Sequence, residues 1–150
     1  MAGSPFFVVK NGQKAGEQTL REAAQATASY SRAWKRGLST LEVFYVLPDQ
    51  VSKKMNSGEY MPKGAFMIYG KTTYISAPIG VVVGVSAEKR VIGGPLDAVR
   101  AHAEKFVTLI PGKEKTSDLA KKIAKNLGVD TLDEIIGFVP AGGSDIKKER

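Results

Sequence analysis

Apolar positions along this chain recur with two periods, one near two residues and one between three and four, and the alternation between them predicts its elements. Phe6-Phe7-Val8-Val9 is a short apolar run ended by the turn pair Asn11-Gly12, and it predicts a strand. Leu20, Ala23, Thr27, Tyr30 and Trp34 follow at helical spacing and predict one helix, opened at Thr19 and stopped by Gly37. Thr19-Leu20-Arg21-Glu22 fits a capping box, in which hydroxyl and carboxylate satisfy free backbone donors reciprocally. Strands are expected at about 41–47, 65–69 and 72–76. Ile79 to Val85 is the most apolar segment and reads as a strand buried on both faces, with Arg90-Val91-Ile92 pairing back onto it.

The second half continues the pattern. Gly93-Gly94-Pro95 reads as a loop, and Pro95 suits the start of a short helix through His102 with Leu96, Val99 and Ala103 inward. Phe106 to Ile110 is another strand, closed by Pro111-Gly112. Thr116 or Ser117 caps a helix to Leu127 that turns Leu119, Ile123 and Leu127 inside and Lys121, Lys122 and Lys125 outside. Thr131-Leu132-Asp133-Glu134 repeats the capping box before a short helix that ends near Gly137. The tail 141–150 is Gly-rich and charged and is expected to be flexible. The elements add up to a single compact α/β (α+β) domain over 1–140, a mixed β-sheet with packed helices.

One stretch breaks the pattern. Between Val43-Phe44-Tyr45-Val46-Leu47 and Ala65-Phe66-Met67-Ile68-Tyr69 the connection Pro48–Gly64 runs for 17 residues, a length that marks a functional or disordered loop. It carries Lys53, Lys54 and Lys63 with Gln50, Ser52, Asn56, Ser57 and Tyr60 interleaved, a mix suited to phosphates and exposed bases. Charge sharpens that reading. The chain has a net charge of +7, of which residues 1–75 hold 10 − 5 = +5 and residues 76–150 hold 12 − 10 = +2. The excess sits with the loop and points first to nucleic acid, then to an anionic membrane. Arg32, Lys35 and Arg36 extend it along the first helix, although a basic helix end also suits the macrodipole.

Other chemistry lacks its parts. With no Cys and one His, His102, the chain has no disulfides, no thiolate zinc site and no nucleophilic triad, and the absence of Cys fits a cytoplasmic protein. Gly64 to Thr72 places five residues between its glycines where a phosphate-binding P-loop has four, and those five read as a strand. No apolar run approaches the ~20 residues of a membrane span. Asp49 and Glu59 are the carboxylates that an enzyme of RNA or nucleotides would use, with no spacing that pairs them. Trp34 and Tyr30 read as core; Tyr60 reads equally as a base-stacking side chain or one packed beneath its loop.

Asp49-Gln50-Val51-Ser52-Lys53, Ser57-Gly58-Glu59-Tyr60 and Gly64 to Lys71 resemble the RNA-binding (R) domain of the NFACT family of ribosome-associated quality-control factors. Val8-Val9-Lys10-Asn11, Thr19 to Ala24 and Tyr30 to Trp34 match upstream, and Arg90 to Pro95 and Ile110 to Lys113 look like the archaeal branch. The resemblance implies a non-catalytic module with no cofactor, acting on tRNA and the large ribosomal subunit that carries a stalled nascent chain. On that RNA reading the residues themselves suggest the contacts: Lys53, Lys54, Lys63 and Lys71 meet phosphates, Arg32, Lys35 and Arg36 add to the same field, Gln50 assists, and Tyr60 stacks on an exposed base. The alternative is a protein-interaction module that docks on ribosomal proteins or on the N-terminal part of an NFACT protein, with the loop a packed motif. Two departures stand out: Thr72-Thr73 replaces the family's usual Lys-Asn, and Met1 stands where the family's domain has already laid down strands. The second implies an unpaired strand edge that self-association into a homodimer would cover.

Overall fold

The most apolar run of the sequence is also the buried centre of the molecule. The computed structural model describes residues 5–52 and 67–147. Its helices are α1 (Glu17–Ser29), α2 (Arg32–Lys35), α3 (Leu96–Arg100), α4 (Thr116–Leu127) and α5 (Leu132–Phe138). Its strands are β1 (Thr40–Tyr45), β2 (Val51–Ser52), β3 (Met67–Ile68), β4 (Thr73–Pro78), β5 (Val81–Val85), β6 (Val91–Gly94), β7 (Lys105–Glu114) and β8 (Ser144–Ile146). The outcome is the expected α+β fold, and every ladder among the described residues is antiparallel.

The strands form three groups: β6-β5-β7-β8, the pair β1-β4, and the short pair β2-β3. All five residues of β5 are buried, as its unbroken apolar run predicts, because strands flank it on both sides and α3, α4 and α5 pack on it. Leu119, Ile123 and Leu127 of α4 reach the same core, which the three-to-four spacing had placed inside. From β4 the chain crosses into β5 through Ile79-Gly80. Ser29, fully buried at the end of α1, ties down that crossover: its hydroxyl donates to the Gly80 carbonyl and accepts from the Gly80 N–H, both at 3.0 Å.

Several expectations are corrected. Residues 5–9 form no regular strand, and Phe6, Phe7 and Val8 are exposed. The predicted single helix over 19–37 is two. Ser31 takes an extended conformation between them, its hydroxyl donating to the Ala28 carbonyl and accepting from the Ala33 N–H, so it ends one helix and caps the next. The first begins at Glu17 with Gly16 ahead of it, which puts Thr19 inside the helix, and no capping box forms there. Nor does Thr131 cap α5 through its side chain, and α4 begins after Lys115 with no side-chain cap. Gly93 and Gly94 lie in β6 rather than in a loop, and α3 ends at Arg100, short of His102.

β7 does not stop at Pro111. It runs on to Glu114 through an irregularity in which Pro111 and Glu114 both face Ser144, the kind of site where a strand tolerates proline. Within the tail, residues 144–146 form β8, which pairs with β7. Its glycines are there for geometry: Gly142 and Gly143 have φ of +108° and +93°, a turn that side chains resist. Trp34 then locks the strand in place, its indole N–H donating to the Gly143 carbonyl at 2.8 Å and to Ser144 Oγ at 3.1 Å.

Candidate nucleic-acid interface

The register of β1 on β4 divides their side chains between two faces. Leu41 opposite Ala77 and Val43 opposite Ile75 turn toward the core, beneath α1. Glu42 opposite Ser76 and Phe44 opposite Tyr74 turn to solvent. The outer face therefore carries two aromatic rings, 43% and 59% exposed, with centroids 5.9 Å apart and planes inclined by 59°. The apolar run Val43–Leu47 by itself does not mark Phe44 as outward-facing. The signal was present: Phe44 shares the parity of Glu42, not of Leu41 and Val43, and a period of two sends it outward.

Beyond Tyr45 the chain enters the neck of the long connection. Pro48–Gln50 makes a single 3-10 turn, β2 and β3 pair through Val51 with Ile68 and Ser52 with Met67, and the chain returns through Tyr69, Gly70 and Lys71. Gln50 holds both sides. Its side-chain carbonyl accepts from the Leu47 N–H at 2.9 Å, and its amide donates to the carbonyls of Tyr69 at 2.8 Å and Lys71 at 2.9 Å. Its backbone carbonyl also accepts from the Tyr69 N–H at 2.8 Å. Both amide hydrogens are thus spent inside the neck, so the geometry gives Gln50 a structural task rather than leaving it for a phosphate. Gly70 makes room for it: φ is +81°, and a Cβ there would stand 3.0 Å from Gln50 Nε2.

The predicted cations fall into two places. Lys71 is exposed at the neck. Arg32, Lys35 and Arg36 are exposed on and just after α2, next to the opposite, Thr40 end of β1. Thr40 and Tyr45 are separated by about 17 Å of strand at ~3.4 Å per residue. The two sets therefore stand near opposite ends of β1, not at one spot. Among the described residues none of the four is in a salt bridge. Lys53, Lys54, Lys63 and Tyr60 lie outside the described residues.

A groove of about 610 Å³ between α1 and β4 does not serve an anion. Glu17, Glu22 and Asp97 line it against Arg21 alone, and Arg21 is paired with Glu17 at 2.6 Å. Among the described residues no group of three His, Asp or Glu side chains is placed to hold a metal ion, and no helix is long and apolar enough to cross a membrane.

Comparison with known proteins agrees with the earlier resemblance. Residues 1–70 match the family described as the NFACT protein RNA binding domain. The archaeal Rqc2 homolog aRqcH of Methanocaldococcus jannaschii is 35% identical over 98% of this chain. The ribosome quality control complex subunit NEMF of Homo sapiens is 36% identical over 56% of it, and the NEMF homolog of Drosophila melanogaster 37% identical over 49%. The chain spans 23% of the length of the archaeal protein and 8% of each of the other two. No solved structure matches.

Proposed function

The chain belongs to the NFACT RNA-binding domain family, and from that premise we propose that it is a non-catalytic RNA-binding module of a ribosome quality control factor. It holds tRNA or ribosomal RNA on stalled large subunits, mainly through backbone phosphates and with little preference for sequence. The observation that carries this reading is the match of residues 1–70 to an RNA-binding domain, over the half of the chain with the larger positive excess. Lys53, Lys54, Lys63 and Lys71 meet phosphates at the loop, and Arg32, Lys35 and Arg36 meet them farther along.

A second reading, a protein-docking module, draws on Gln50, whose side chain is committed to the neck as in a packed structural motif. Fluorescence anisotropy against tRNA and against duplex DNA of similar length, across a salt series, separates the two. The RNA reading expects tighter binding to tRNA and a log–log salt slope worth several phosphates. Lys53→Ala with Lys54→Ala then weakens all RNAs alike and lowers the slope by about 2. An unchanged affinity in that variant moves the contact surface elsewhere. A parent chain that binds no RNA, or binds both nucleic acids equally and weakly, leaves the docking reading in possession.

A further inference from the structure

We propose that Phe44 and Tyr74 form a stacking platform for unpaired RNA bases on the outer face of the β1–β4 hairpin. This rests on the RNA-binding reading and deepens it, by naming the part of the RNA that is held, single-stranded bases, and the side chains that hold them. The rings are direct cross-strand partners, and α1 covers the other face of the same ladder. The core takes its contacts from Leu41, Val43, Ala77 and Ile75, so it does not require aromatic residues at 44 and 74. What these two positions offer is ring surface turned to water, on a rigid ladder rather than on a loop.

The surroundings favour RNA over a protein partner. On the same face the next pair toward the Thr40 end is Glu42 with Ser76, so the apolar surface ends at the two rings on that side. The two ring faces offer stacking surface for one or two bases. Because the ring planes are inclined by 59°, each ring takes its own base, as in a splayed single strand rather than a duplex. Charge orients the strand. Lys71 lies exposed two residues before β4, its backbone fixed by the bond from Gln50, whereas Glu42 repels phosphate on the other side of the rings. The sugar–phosphate backbone therefore passes on the neck side, with its bases over Phe44 and Tyr74.

The test titrates short labelled adenosine and uridine single strands, and an RNA duplex of the same length, with the parent chain and with a Phe44→Leu/Tyr74→Leu double variant. The double variant is expected to weaken single-strand binding by about fivefold or more, to leave duplex binding within about twofold, and to keep the salt slope, since stacking is lost and no cation is. Tyr74→Phe, which keeps the ring, is expected to retain the parent affinity, and it separates loss of stacking from loss of fold. If the parent binds RNA and the double variant binds single strands equally well, the platform is wrong while the RNA-binding reading stands. If the parent binds neither RNA form, that reading falls and the platform with it. If the parent sediments as a dimer that the double variant dissociates, the rings belong to a second copy of this chain, which also overturns the proposal.

Discussion

β5 and the β1–β4 hairpin both carry apolar residues and put them to opposite uses. β5 buries all five of its residues, while the hairpin buries one face and leaves Phe44 and Tyr74 outside. Composition separates them in part, since β5 is four valines and a glycine while the hairpin mixes apolar residues with Thr40, Glu42, Thr73 and Ser76. Coverage does the rest. β5 has a strand on each side and helices over it, whereas β1 and β4 pair only with each other among the described residues and have α1 on one face alone. In the covered region each side chain is committed to the core. In the half-covered one an apolar residue of the wrong parity remains available to a partner.

The contrast is broken most strongly at Trp34, which belongs to the covered region although it lies just six residues before the hairpin begins at Thr40. It is 1% exposed, and its indole N–H anchors β8. Trp34→Ala is expected to lose about 3–5 kcal/mol in urea denaturation, from the cavity and from the released tail strand. A loss under about 1 kcal/mol would mean that β8 is held without it. Gly70→Ala tests the other region. Its positive φ costs an L-residue roughly 1–2 kcal/mol, and the new Cβ presses on Gln50. Faster hydrogen exchange at the Tyr69 amide, with the β5 amides as protected as before, is the expected outcome; equal loosening of β5 would show that the neck and core unfold together.

Tyr30 gives the smallest effect and a sign that depends on pH. Its hydroxyl donates to the Phe138 carbonyl at 2.7 Å, and burial raises its pKa above the ordinary value of 10.0. A raised folded-state pKa means that the stability it contributes is complete below pH 10 and lost as pH climbs through the folded value. Tyr30→Phe is expected to lose about 0.5–1.5 kcal/mol at neutral pH, and to lack the fall that the parent shows above pH 10. Parallel declines in both proteins over that range would assign the alkaline transition to another group.

Periodicity and residue chemistry made much of this legible. The spacing of Leu119, Ile123 and Leu127 places the inner face of α4, the unbroken run of valines places β5, and Asn11-Gly12 marks a turn that the chain does make. The family was legible too, because its motifs are contiguous stretches. Site residues were legible only in part. Lys71, Arg32, Lys35 and Arg36 are exposed as a binding role requires, yet they stand at two ends of β1, and Gln50 turned inward. The glycines of the tail read as flexibility because Gly has the same composition signal in a loose coil and in a turn with positive φ.

The chain by itself determined which residues are apolar, at which period they recur, where its charge collects and which family it belongs to, since each of these is a local property of neighbouring residues. The tertiary structure alone decided that Trp34 meets a carbonyl 109 residues away, that β1 takes β4 as its partner, and which parity of that hairpin is left in water. Those outcomes depend on distant segments competing to cover the same surface, and no local pattern records which segment prevails.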